Sequence, residues 1–184
     1  MNQIEGEIEL FLKNPSAEEE SFWESEALVW VDWKDFDESI VEYFNEYLLE
    51  EDKINVELVE IDKPRCVDIF LIKDKVKKAI PYDEERTDRD TTLKAVQDFI
   101  APKYQIRWYM DSLGGDTLAF CVLPTEKWLR LEKDYGEEKV TYYFAPLSHD
   151  SVMFEMDIDE MSDLLEKRMQ NVNLGKGDIA HDGR

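Results

Sequence analysis

The sequence predicts an α+β fold: a mainly antiparallel sheet with helices packed on one face, followed by a C-terminal helix. Three observations carry this expectation. Segments that alternate at period two, such as "INVELVEI" and "QIRWYMD", lie beside segments with helical spacing. Turn residues divide strand from strand, as in "KPR" and "SLGGD". Residues 41–72 and 93–123 also share one layout of helix, short link, strand, turn and strand. Ile54 corresponds to Ile106, and residues 66–72 fall near 117–123. Two related helix-strand-strand units of this kind give hairpin strands layered against helices, whether they arose by duplication or by chance.

The elements follow in order. In residues 1–12, Ile4, Ile8 and Leu10 fit either a short strand or a helix. "KNPSAEEES" carries turn chemistry at Pro15 and Ser16, then an acid cluster at Glu18, Glu19 and Glu20. Residues 1–20 are thus expected to form an acidic N-terminal segment ahead of a single α+β domain spanning 21–156. "ALVWVDW" has strand composition, with Val29, Val31 and Trp33 on one face and Leu28, Trp30 and Asp32 on the other. Asp35 and Glu38 form a D-x-x-E signature before Phe36, Ile40, Val41, Phe44, Tyr47 and Leu48, a helix to about residue 50. Ile54, Val56 and Leu58 share one face of the next strand, and "CVDIFLI" returns beside it.

"KDKVKKAIPY" is a basic island. Lys73, Lys75 and Lys77 share a face if the strand continues, and with Lys78 they suit an edge that resists aggregation better than they suit an anion site. A helix over 91–100 buries Leu93, Val96 and Ile100 and ends at Pro102. Around the turn at Gly114 and Gly115, Ile106, Trp108 and Met110 are expected opposite Leu118, Phe120 and Val122. Thr125 is expected to cap a helix with Trp128, Leu131 and Tyr135 on one stripe and Gly136 at its C-terminal stop. "KVTYYFAPL" reads as a strand and "SVMFEM" as another. Asp157 and Glu160 repeat the capping signature before a helix over 157–170 with Met161, Leu164, Leu165 and Met169, and 171–184 reads as a loose tail.

Charge narrows the function classes. Lys and Arg number 22 against 44 Asp and Glu, a net charge of −22, while 43% of residues are hydrophobic, enough for a packed core. Such a charge disfavours nucleic acid phosphates and anionic membranes and attracts basic partners. Cys66 and Cys121 sit in apolar runs and are expected as two buried thiols. The first residues carry no basic or long apolar stretch of the secretory kind, and no run has membrane-spanning length, so a cytoplasmic location is expected.

The usual chemical constellations do not assemble. His149 lies beside Asp150 in a loop, with neither nucleophile nor oxyanion site in view, and His181 lies in the tail. "SLGGD" lacks the spacing of a phosphate cradle. "DIDE" lacks the glycine and distal glutamate of a calcium loop, and no cysteine–histidine zinc spacing occurs. No cofactor or metal is therefore expected.

What stands out is tryptophan set among carboxylates in "FWESEALVWVDWKDFDE". The expected partner-binding residues are Glu18, Glu19, Glu20, Trp23, Glu24, Glu26, Asp32, Trp33, Asp35 and Asp37, with Trp23 and Trp33 half exposed at element ends. The expectation is a non-catalytic acidic binding protein, an immunity or inhibitor protein that neutralises a basic protein such as a toxin or nuclease. A nucleic-acid mimic acting on a DNA- or RNA-binding protein is the second form. A small enzyme or ligand-binding domain is the competing class, marked by a deep pocket at the sheet holding Arg107 or His149.

Overall fold

The computed structural model describes residues 2–175, with side chains described over 3–170. The chain divides into one unit over Met1–Phe154 and a second from Glu155. The fold is α+β, with two antiparallel sheets and a C-terminal helix.

The first unit opens with α1 (Asn2–Lys13) and α2 (Pro15–Trp23). Ile8, Phe11 and Leu12 recur at helical spacing and are buried in the core of this unit. Pro15 is the first residue of α2, where its missing N–H removes no helical hydrogen bond, so the expected turn is a helix start.

One sheet has the order β1-β6-β5-β7, from β1 (Val29–Asp32), β5 (Tyr104–Tyr109), β6 (Thr117–Pro124) and β7 (Phe144–Pro146). Ile106 pairs with Val122 and Trp108 with Phe120, the expected register; Met110 leaves the ladder in a 3₁₀ turn. Both faces of this sheet are covered by helices. On one, Tyr109, Ala119, Cys121 and Leu123 pack with α1, α2, α5 (Thr125–Tyr135) and α6 (Glu137–Tyr143). On the other, Phe44 of α3 (Asp37–Asn45) meets Phe120 edge-on, and α4 (Arg89–Ile100) lies beside α3 and β5.

The second sheet has the order β2-β3-β4, from β2 (Asn55–Glu60), β3 (Val67–Lys73) and β4 (Val76–Ala79). The two helix-strand-strand units therefore send their strands to different sheets. Lys73 does not run on into a common face with Lys75 and Lys77; Asp74 takes a left-handed φ of 54° and turns the chain back, and β4 forms a sheet edge. Lys77 there pairs with Glu57 of β2 at 2.6 Å, across the intervening Phe70.

Four further expectations are corrected. Cys66 is exposed: it sits in the turn before β3 with a φ of 63°, so its apolar neighbours enter the sheet without it. Residues 137–143 are helical, and only Phe144–Pro146 forms a strand, because Gly136 (φ 89°) restarts a helix that buries Val140. "SVMFEM" is irregular; Asp90 holds it by accepting the backbone N–H groups of Met153 (2.9 Å) and Phe154 (2.8 Å). The Thr125 hydroxyl donates to the Pro102 carbonyl at 2.7 Å and caps nothing.

In the second unit, α7 spans Ile158–Gly175. Its start is the expected capping box, with Asp157 N–H donating to Glu160 at 3.0 Å and Glu160 N–H to Asp157 at 2.8 Å. The helix continues to Gly175 through part of the expected tail; residues 176–184, with His181, lie outside the described residues. Among the described residues, no helix is long and apolar enough to cross a membrane.

Candidate acidic binding site

The ten residues singled out in the sequence fall into two groups. Glu18, Glu19, Glu20, Trp23, Glu24 and Glu26 lie on or just after α2. Asp32, Trp33, Asp35 and Asp37 lie on the turn from β1 into α3.

The carboxylates of the second group are absorbed by local structure. Asp32 accepts the Lys34 N–H (2.8 Å) and the Thr117 hydroxyl (3.0 Å). The Lys34 backbone bond, then the Thr117 bond, holds its carboxyl below the usual aspartate range. Asp35 does not cap α3; it turns back to accept the Asp32 N–H at 2.8 Å. Asp37 is buried, accepts the Thr92 hydroxyl at 2.8 Å and lies 3.8 Å from Arg89, so its side chain is not open to direct contact. The Tyr82 hydroxyl lies 2.6 Å from Thr92 in the same buried chain, and burial pushes its ionisation well up. What this turn offers outward is aromatic. Trp33 is half exposed with Lys34 over its ring at 5.1 Å, and Phe36 stands largely in solvent.

The first group frames a cleft. A cavity of about 320 Å³ lies between α1 and α2, lined by Glu7, Leu10, Phe11, Glu18, Ser21, Phe22, Glu24, Ser25 and Glu26. Its size is at the low end of the ~300–1,000 Å³ typical of ligand pockets. Phe11 and Phe22 stack at 4.6 Å and belong to the buried core, while Leu10 is half exposed. Above this apolar surface stand four carboxylates, and no lysine or arginine is among the lining residues. Two serines fix part of the rim: Ser25 donates to Glu7, and Ser21 to Glu18 at 3.1 Å. Glu19 and Glu20 are exposed on α2 and do not line the cleft.

Trp23, between the lining residues Phe22 and Glu24, packs on Trp30 at 4.8 Å with 44% of its surface exposed. It is held on one side and open on the other. Helix α1 is also tied to α5 by ion pairs. Glu5 of α1 is buried and ion-paired with Arg130 and with Lys127 (3.1 Å) of α5, and Glu9 meets Arg130 at 2.6 Å.

Glu7, Leu10 and Phe22, outside the set expected from the sequence, also line the cleft. A helical reading of residues 2–13 places Gln3, Glu7 and Leu10 along one stripe, which was the available signal. The two groups that would mark an enzymatic pocket have other surroundings. Arg107 is buried on β5, stacks on Trp128 at 4.5 Å and pairs with Glu132 at 2.6 Å, while His149 is exposed, 3.8 Å from Asp98. Burial lowers the Arg107 pKa, opposed by Glu132. Among the described residues, no cluster of three or more His, Cys, Asp or Glu is placed to hold a metal. No family model, curated protein or solved structure matches the chain.

Proposed function

We propose that this protein is a non-catalytic acidic binding protein whose N-terminal helix pair receives a basic protein, in the manner of an inhibitor or immunity protein that neutralises a toxin or nuclease. One observation carries the reading: the α1–α2 cleft sets four carboxylates around an apolar floor without a lining base. A lysine or arginine side chain has the matching build, with an aliphatic stem for Leu10, Phe11 and Phe22 and a charged head for the rim. The net charge of −22 speeds encounter with a basic surface, and half-exposed Trp23 supplies apolar contact that charge alone cannot. A nucleic-acid mimic needs carboxylates laid out like phosphates over a long face; a compact cleft with an apolar floor favours the inhibitor form.

The test is partner capture from native lysate at low salt, followed by stopped-flow association at two ionic strengths. The triple reversal Glu18→Lys, Glu24→Lys, Glu26→Lys should slow association at least about tenfold at low salt and less at high salt, where screening already weakens steering. Trp23→Ala should mainly raise the dissociation rate. An acidic partner, or an association rate indifferent to both salt and the reversals, would sink the proposal.

A further inference from the structure

A second cavity, far from the acidic cleft in sequence, has the opposite local charge. Its volume is about 150 Å³, and Asp52, Lys73, Phe99, Ile100, Ala101, Lys103 and Tyr104 line it. Asp52, in the 3₁₀ turn Glu50–Asp52, is buried. One of its oxygens takes Lys73 at 2.6 Å; the other takes Lys103 and the Tyr104 hydroxyl, the latter at 2.8 Å. Two ammonium groups thus meet one carboxylate, leaving a surplus of one positive charge. Glu51 acts on Lys103 through space but is exposed and does not line the cavity.

Each ammonium has three N–H donors and gives one to Asp52. Among the described residues neither lysine has a second oxygen acceptor; Lys103, half exposed, also lies over the Tyr104 ring at 5.6 Å, and the remaining donors of both lysines are open to solvent or a guest. Asp52 accepts three hydrogen bonds, so it satisfies the site's geometry without exhausting its donors. Phe99, Ile100 and Ala101 supply an apolar wall beside them. Surplus positive charge, spare N–H donors and an apolar wall suit an anion with a short hydrocarbon part. One net charge matches a monoanion better than a phosphate dianion. The cavity holds the liquid volume of about five waters, which limits the guest to about five or six heavy atoms.

We propose that this cavity binds a small monocarboxylate, its carboxylate bridging Lys73 and Lys103 and its alkyl group against Phe99 and Ile100. The site joins the two sheets, since Lys73 ends β3 and Lys103 immediately precedes β5. Occupancy would therefore tie together the two parts of the first unit.

The experiment is an NMR titration of the ¹⁵N-labelled full chain at constant ionic strength with propionate, the neutral isostere propionamide, and inorganic phosphate. Propionate should give saturable shifts at 73 and 99–104 with a millimolar Kd, and propionamide should leave those amides unmoved. Lys103→Met should weaken binding at least about tenfold, the loss of one charged hydrogen-bonding partner. Lys103→Arg should retain binding, which separates charge from side-chain identity, and unchanged shifts elsewhere in the spectrum verify both folds. The proposal is overturned by an absence of saturable shifts, by equal responses to propionate and propionamide, by a stronger response to phosphate, or by unaltered binding in Lys103→Met.

Discussion

The four-stranded and three-stranded sheets are both antiparallel, and each takes a hairpin led by a helix. They differ in cover. All residues from Leu118 to Leu123 of β6 are buried, because helices lie against both faces of that sheet. In β2 none of the six residues is buried, and β4 is exposed along its length. Alternation in sequence therefore reports which side chains share a face. It does not report how far cover extends across that face: Ile69 and Leu71 of the central β3 are buried, while Leu58, paired with Ile69, keeps the period yet stays half exposed.

The largest expected effect of this contrast is on stability. Phe120→Ala should cost about 3–5 kcal/mol, a large core truncation against Phe44, while Leu58→Ala should cost no more than about 1 kcal/mol. Urea midpoints of the two variants measure the difference directly, and comparable losses would contradict the unequal cover.

The cysteines sample the two sheets chemically. Cys66 before β3 should react promptly with a thiol reagent in the native protein, and Cys121 in β6 should react only on unfolding. Complete burial also pushes the Cys121 thiol up, which withholds the reactive thiolate. One rapid equivalent of label in native buffer and two in denaturant is the expected count.

The link between the sheets carries a pH dependence. Lys103, then Lys73, holds the Asp52 carboxyl well below the ordinary aspartate value. Its folded pKa is depressed, so its stabilising contribution is present above the unfolded value of about 3.9 and is lost as pH falls through the folded one. Asp52→Asn should therefore lower the urea midpoint at neutral pH, and the gap to wild type should close progressively below about pH 5. A gap that widens with acid would reverse this sign.

The smallest effect is local. Amides of β5 and β6 should exchange with solvent only by global opening, and those of β2 faster through local fraying.

Where the sequence was legible, the signal was local and matched its surroundings. The hairpin register of Ile106 and Trp108, the half exposure of Trp23 and Trp33 and the Asp157–Glu160 box were all readable. The same D-x-x-E spacing at Asp35 and Glu38 formed no box, because the tight turn after β1 draws Asp35 to the Asp32 N–H. Residues 137–143 have strand propensity but fold as a helix, since a second helix after Gly136 is what places Val140 in the core. The acidic cleft was half legible. Glu18, Glu24 and Glu26 were in the sequence pattern, but their meeting with Glu7 and Leu10 depended on α1 being a helix, which Ile4, Ile8 and Leu10 left open against a strand.

The α1–α2 cleft is the centre of the functional account, and its direct test is a titration of the ¹⁵N-labelled full chain with a short arginine-rich peptide. Amides at 7, 10, 18 and 21–26 should shift saturably at low salt, with weaker binding at high salt and loss of the shifts in the triple lysine reversal. Shifts spread evenly over the acidic surface, or a response at the cleft that survives the reversal, would contradict the account and leave the charge as a property of the whole surface.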